Sequence, residues 1–224
     1  MQSIGSQVQS LLLGLHDLPL LPKGIDYLNP YQEDYVRRLV SSFYQKYFND
    51  KSKRILVLGI NPGRFGGGQT GISFTDPYVL EEYCGISNDL PKRKELSSTF
   101  IYSFIDAFGG SKAFYSSFLI SSICPLGFVR DGKNLNFYDD NKLIELTADF
   151  VKSSFEAHIN MNLSSDVVVV LGKKNTLYFN QLNSEFNFFK KVITLEHPRY
   201  IMQYKRKQVP DYLNTWVTTF KQLI

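Results

Sequence analysis

Short, continuous apolar runs alternate along this chain with longer stretches in which apolar residues return every three or four positions. Ile55–Leu58, Phe118–Ile123, Asp166–Leu171 and Lys191–Leu195 are the short runs, rich in Val, Ile and Leu. Unbroken runs of this length predict strands buried on both faces, as in a parallel sheet. Between them, Tyr35, Val36, Leu39, Val40, Phe43, Tyr44 and Tyr47 fall on one helical face. So do Leu143, Ile144, Thr147, Phe150, Val151 and Phe155 in a helix from Asn141 to about His158, and Tyr212, Leu213, Trp216, Val217 and Phe220 near the end. Such one-sided spacing predicts amphipathic helices. Further helices are predicted over Ser3–Leu15, Pro77–Tyr83, Lys92–Phe108 and Lys174–Leu182. Asn29-Pro30 is expected to cap the second helix, and the Pro- and Gly-broken stretch before it to be a linker.

Strands alternating with helices predict an α/β fold: three αβα layers around a central four-stranded parallel sheet. One domain over residues 1–224 is expected, with the helices of residues 1–50 packing on the core. In such a sheet every strand C-terminus lies at one edge, where ligands bind. The four runs end in Asn61-Pro62-Gly63, Cys124-Pro125-Leu126-Gly127, Gly172-Lys173-Lys174-Asn175 and His197-Pro198. Topology therefore brings Asn61 and His197 to one rim.

Chemistry concentrates in Arg54–Pro77, RILVLGINPGRFGGGQTGISFTDP. The strand stops at Asn61-Pro62-Gly63, because Pro62 lacks a backbone donor and Gly63 tolerates positive φ. Asn61 is thereby held where its amide can reach a ligand, and Phe65 and Phe74 offer two flat apolar faces. Gly66-x-Gly68-x-x-Gly71 matches the dinucleotide fingerprint, but that fingerprint needs a strand directly before it and a helix directly after. A mobile glycine loop without a ligand explains the glycines but not the turn at Asn61.

Composition changes the picture only modestly. Among 224 residues, 43% are hydrophobic, the net charge is +4 and Phe and Tyr number 18 and 14; this suits one sizeable core and permits nucleic-acid contact without requiring it. Lys190, Lys191, Arg199, Lys205, Arg206 and Lys207 crowd one segment against Glu196. Two distant cysteines, Cys84 and Cys124, exclude a Cys-ligated iron–sulfur cluster and argue against a disulfide framework. The start of the chain lacks a basic signal region, and no run approaches a membrane span. A soluble protein of a reducing compartment is expected.

Gly59-Ile60-Asn61-Pro62-Gly63-Arg64-Phe65-Gly66-x-x-Gln69-Thr70-Gly71-x-x-Phe74 resembles the first motif of the uracil-DNA glycosylase superfamily, above all its single-strand-selective monofunctional branch. His197-Pro198-Arg199 resembles the start of the second motif, without its following Ser-Pro, and Cys124-Pro125-Leu126 resembles a third segment. There the branch has an Asn that reads the uracil edge, where this chain has Ser122. A hydroxyl cannot make the paired amide contacts, which extends the expected range to related deaminated or oxidised bases.

The resemblance implies a monofunctional glycosylase of DNA repair, needing no metal or cofactor. Asn61 would hold the hydrolytic water and His197 would donate to the base oxygen that gains charge; Phe74 would stack on the base. Gly63, Phe65 and Ser122 complete the expected base pocket, Gly63 leaving space beside C5 of a pyrimidine. Asn in place of the Asp of the fastest branch implies a slower enzyme. Asp76 is a candidate to orient the water and Glu196 to set the His197 tautomer. Because a base inside a duplex is out of reach, Arg199, Tyr200, Lys205, Arg206 and Lys207, with the bulky residues between them, are expected to grip DNA and wedge into it. A monomer in the cytoplasm (nucleoid-associated) or nucleus is expected. Two alternatives stay open: a damage-binding module whose catalysis has lapsed, and a nucleotide-binding α/β enzyme.

Overall fold

The structure, a computed structural model, describes residues 2–224. In chain order the elements are α1 (Ile4–Leu13), β1 (Ile25–Leu28), α2 (Asp34–Phe48), β2 (Arg54–Gly59), α3 (Gly67–Thr70), α4 (Pro77–Glu82), α5 (Leu96–Phe108), α6 (Ser111–Tyr115), β3 (Phe118–Ser122), β4 (Gly127–Arg130), β5 (Lys133–Leu135), α7 (Asn141–Ile159), β6 (Leu163–Leu171), α8 (Lys173–Phe186), β7 (Lys191–Leu195), α9 (Pro198–Tyr204) and α10 (Val209–Lys221). The four apolar runs form the expected sheet. Its order is β3-β2-β6-β7 and every pair is parallel.

Every residue of β2 and β3 is buried, as is β6 from Val167 onward. Such strands need helices on both faces, and right-handed crossovers supply them. The chain leaves β2 toward β3 in one direction and leaves β6 toward β7 in the other. That puts α5 and α8 on opposite faces and opens a crevice between the ends of β2 and β6.

The abundant aromatics go mainly into the core. Trp216 and Phe220 of α10 meet Phe100 and Phe104 of α5 at 4.7–5.3 Å with Phe114 and Phe118 behind them. On α2, the face predicted from spacing is the buried one: Val36, Leu39, Val40, Phe43 and Tyr44 are all buried.

Several local expectations are corrected. The stretch before residue 28 is not all linker, since Ile25–Leu28 pairs antiparallel with β4, which pairs with β5 in a second, three-stranded sheet. Asn29 caps a single 3₁₀ turn over Pro30–Gln32, and α2 begins afterwards at Asp34. The helix expected from Lys92 starts at Leu96, because the backbone N–H of Glu95 donates to Asp76 at 2.8 Å instead of continuing a helix. The glycine stretch forms one helical turn, α3, closed by bonds from Thr70 N–H to Gly66 C=O and from Gly71 N–H to Gly67 C=O.

Candidate active site

The crevice at the switch point is a cleft of about 510 Å³, within the size range of small-molecule sites. The turn after β2 supplies Asn61 and Gly63, the end of β3 supplies Ser122, the turn after β6 supplies Gly172–Asn175, and the segment after β7 supplies His197, Arg199 and Tyr200. Phe74 forms part of its wall. Of the residues singled out from the sequence, Asn61, Gly63, Phe74, Ser122, His197, Arg199 and Tyr200 therefore meet here.

Asn61 is held from both ends of its amide. Its Oδ1 accepts the Phe137 N–H at 3.2 Å, and its Nδ2 donates to Leu135 C=O at 3.3 Å. The hairpin that ends in β5 thus aims the amide, a role that nothing in the local sequence announces.

Phe74 has φ 54°, an uncommon conformation for a bulky residue that the surroundings must impose. Buried Thr70 does this, donating to Thr75 C=O at 2.6 Å, while Thr75 N–H bonds Ile72 C=O at 3.1 Å. The ring then lies on Gly59, where a Cβ would come within 2.6 Å of it. Its centroid is 5.9 Å from that of His197.

His197 caps α9: its Nδ1 accepts the Arg199 N–H at 3.1 Å. An accepting Nδ1 carries no proton, so the neutral ring has its proton on Nε2. Burial, and then the nearby Arg199 guanidinium, push its pKa down to about 4, so the imidazole is neutral at physiological pH. Gly172, at φ 111°, packs under it, with a Cβ there 3.4 Å from that of His197.

Ser122 is buried and its hydroxyl shares a 3.2 Å hydrogen bond with Ser73. The space expected beside Gly63 is bounded already, since a Cβ there would lie 3.0 Å from Glu95 Oε1 and 3.1 Å from Asn134 Nδ2.

Glu95 is a cleft residue that sequence reasoning missed. Its carboxyl accepts from Ser98 Oγ at 3.2 Å, and burial raises its pKa, with Asp76 adding to the rise and Ser98 and Arg199 opposing it. The one available signal was a single acid closing the Lys92-Arg93-Lys94 run directly before an apolar helix.

Three assignments are corrected, and one cationic group lies away from the cleft. Phe65 does not line the cleft; it lies in the neighbouring groove, its ring covered by the guanidiniums of Arg64 and Arg93 at 4.4 and 4.1 Å. Asp76 is buried away from the cleft lining: its oxygens accept the backbone N–H groups of Tyr78, Val79 and Glu95, capping α4. Glu196 pairs with Lys173 at 2.8 Å, not with His197, whose tautomer is set by Arg199. Lys205, Arg206 and Lys207 lie past the end of α9 and outside the cleft wall, while Ile201 of the expected wedge is fully buried. Tyr200 and Tyr204 are exposed at the mouth instead, their rings 5.6 Å apart.

Fold and site together define an open parallel-sheet α/β protein whose cleft, at the topological switch point, holds one aimed amide, one neutral imidazole and one aromatic ring. The family model for the uracil DNA glycosylase superfamily matches residues 45–221. A solved structure titled as wild-type SMUG2 of Pedobacter heparinus superposes with a TM-score of 0.94 at 38% identity, covering 100% of this chain and 99% of that one. The single-strand selective monofunctional uracil-DNA glycosylases of Rattus norvegicus and Mus musculus are 31% and 30% identical over 101 residues. Those matches span 37% of this chain and only 36% of the rodent proteins. The chain belongs to the uracil-DNA glycosylase superfamily, in its SMUG-like branch. Among the described residues, no helix is long and apolar enough to cross a membrane, and no three His, Cys, Asp or Glu side chains cluster as metal ligands would.

Proposed function

We propose that this chain is a monofunctional DNA glycosylase that hydrolyses the N-glycosidic bond of uracil, or of a related deaminated or oxidised base, as a step of base-excision repair. The observation that carries the reading is the meeting of Asn61, Phe74 and His197, distant in sequence, around one cleft with room for a nucleobase.

Breaking the bond from the sugar C1′ sends its electron pair onto the base and leaves positive charge on the sugar. The base oxygen that gains charge receives the Nε2–H of neutral His197, a donor positioned before the charge develops. One such donor contributes about 3 kcal/mol. Phe74 stacks on the extruded base. Asn61 holds a water on the sugar side, which adds to C1′ and releases a proton, giving free base and an abasic site. Ser122 and Gly63 bound the base edge. The rodent relatives are named as selective for single strands, and a base free of its stack costs least to bring into such a cleft. Arg199, Tyr200 and Tyr204 stand at the mouth to receive the strand, with Lys205, Arg206 and Lys207 as outlying charges. Residues 1–224 act as one unit, as a monomer, where cellular DNA is held, in nucleoid or nucleus.

Ser122, which lacks a paired amide contact, favours a second reading: a module that binds damaged bases without cleaving them. Incubation with oligonucleotides carrying uracil, hypoxanthine, xanthine or hydroxymethyluracil separates the two. Abasic product from any of them supports the glycosylase; tight binding with no product from all four supports the module.

A further inference from the structure

Beside the base cleft, and sharing Glu95, Asn134 and Arg199 with it, lies a second groove of about 430 Å³. Five cations line it: Arg64, Arg93, Lys94, Lys133 and Arg199. Among the described residues none of the five joins an ion pair, whereas Lys92 on the same turn is paired with Glu81. Three of the five rest on aromatic rings. Arg64 and Arg93 lie over Phe65 at 4.4 and 4.1 Å, and Lys94 lies over Tyr78 at 3.9 Å.

A guanidinium lying on a ring gives up conformational freedom before any ligand arrives, yet keeps its edge N–H donors free. The only acid in the groove, Glu95, turns its carboxyl inward to Ser98 and Gly63. The wall is also braced, with the Arg64 N–H donating to Asn134 Oδ1 at 3.1 Å, which ties the loop after β2 to the β4–β5 hairpin. This is a preorganised anion-binding surface, continuous with the cleft that takes a base.

We propose that this groove binds the phosphodiester backbone of the single strand flanking the extruded nucleotide, with Phe65 as the platform that holds two arginines ready for phosphate. The proposal rests on the DNA reading above, but its test does not require cleavage. An acidic peptide would satisfy the charges but would have no reason to continue into the base cleft.

The test measures binding of an undamaged, labelled single-stranded oligodeoxynucleotide between about 50 and 200 mM salt. Each phosphate contact on a single strand contributes about 0.7 to the slope of log affinity against log salt. Replacing Arg93, Lys94 and Lys133 together by Ala is expected to lower that slope by about 2. Lys133→Ala alone, exposed on the hairpin tip and harmless to folding, is expected to lower it by about 0.7. Arg93→Lys should keep the slope and weaken affinity, because charge survives while the planar stack is lost. Unchanged slopes in the triple variant and in Lys133→Ala overturn the groove even if wild-type protein cleaves uracil. Reduced slopes in a protein that cleaves no base keep the groove and overturn the glycosylase reading. Displacement of the strand by free dUMP, lost in Lys133→Ala, would make this a mononucleotide site and also overturns the proposal.

Discussion

The backbone N–H of Arg199 donates to Nδ1 of His197 at 3.1 Å, and this one bond settles what the imidazole can do. It caps α9, places the proton on Nε2 and leaves that nitrogen without a partner inside the chain among the described residues. Buried His158 carries the opposite tautomer, its Nδ1–H donating to Ser154 C=O at 2.7 Å and its Nε2 accepting from Ser121 Oγ at 2.7 Å. One histidine spends both nitrogens on the fold, and the other keeps one for a ligand.

The cap and the donor can be separated by substitution. Asn is as good an N-cap as any residue, so His197→Asn is expected to keep thermal stability near wild type. Single-turnover excision should nevertheless fall roughly 100- to 1,000-fold, the loss seen when one preorganised donor is removed. His197→Ala should lose the donor and also about 1 kcal/mol of cap. Excision by His197→Asn at the wild-type rate would remove the imidazole from the mechanism.

Asn61→Ala should abolish at least a comparable factor of rate while leaving the affinity for substrate DNA within a few-fold, because the role proposed for Asn61 is to hold the water and not to grip phosphates. The paired measurement is single-turnover cleavage against equilibrium binding. Equal losses in both would show that the amide serves binding and holds no water.

Fold and site were unequally legible, for physical reasons. The strands β2 and β3, and β6 from Val167 onward, are buried on both faces, so their apolar runs are unbroken; β7, at the sheet edge, is only half-buried, contrary to what its apolar run predicted, and the shared C-terminal rim of all four follows from parallel pairing alone. The second sheet was illegible because β1 (Ile25–Leu28) is only partly buried and β5 reads Lys133-Asn134-Leu135. Neither has a local pattern, and both exist only through antiparallel pairing with β4. Asn61 and His197 were legible as rim residues. The partner that orients Asn61 was not, because Phe137 N–H reaches it from 76 positions away; nor was Glu95, which approaches Gly63 only in the folded chain. Phe65 misled because a flat ring near a turn suits a base and an arginine equally well.

Ser122→Asn should sharpen the choice of base. An amide at this position offers a donor and an acceptor together, complementary to the O4 and N3–H of uracil, where the hydroxyl makes one bond. The ratio of kcat/KM for uracil over hypoxanthine is expected to rise at least about tenfold, the value of one well-placed contact of about 1.4 kcal/mol. A ratio that does not move would place the edge reader elsewhere in the cleft.

Gly59→Ala tests the seat of the stacking ring. The added methyl would stand 2.6 Å from the Phe74 ring, which cannot yield freely because its backbone is braced at positive φ. Overpacking of this kind costs about 1–3 kcal/mol. Both the unfolding midpoint and the excision rate should fall, whereas Gly110→Ala, where a Cβ meets nothing within 4 Å, should lose no activity despite its own backbone strain at φ 90°. Wild-type activity in Gly59→Ala would mean that Phe74 does not need to sit where it does.

Acid stability should carry the signature of the buried imidazoles. Burial pushes the pKa of His158 down to about 4 from an ordinary 6.5, so between those values the unfolded chain binds a proton that the native chain refuses. Stability is therefore complete above about pH 6.5 and is lost as pH falls toward 4, by about 3 kcal/mol for this group at about 1.4 kcal/mol per pKa unit. His197 acts in the same sense over the same window. Glu95, whose pKa is raised, acts in the opposite sense above its ordinary 4.5 and blunts the slope. Asp50, Asp140 and Asp166 are lowered from 3.8 and lose their contributions only below this range. Urea unfolding followed from pH 7 to pH 4 should show a fall that is shallower in His158→Gln by roughly one proton. Parallel curves for wild type and variant would mean that the His158 ring is already protonated in the folded protein, and the bond from Ser121 Oγ–H to its Nε2 would have to be reversed.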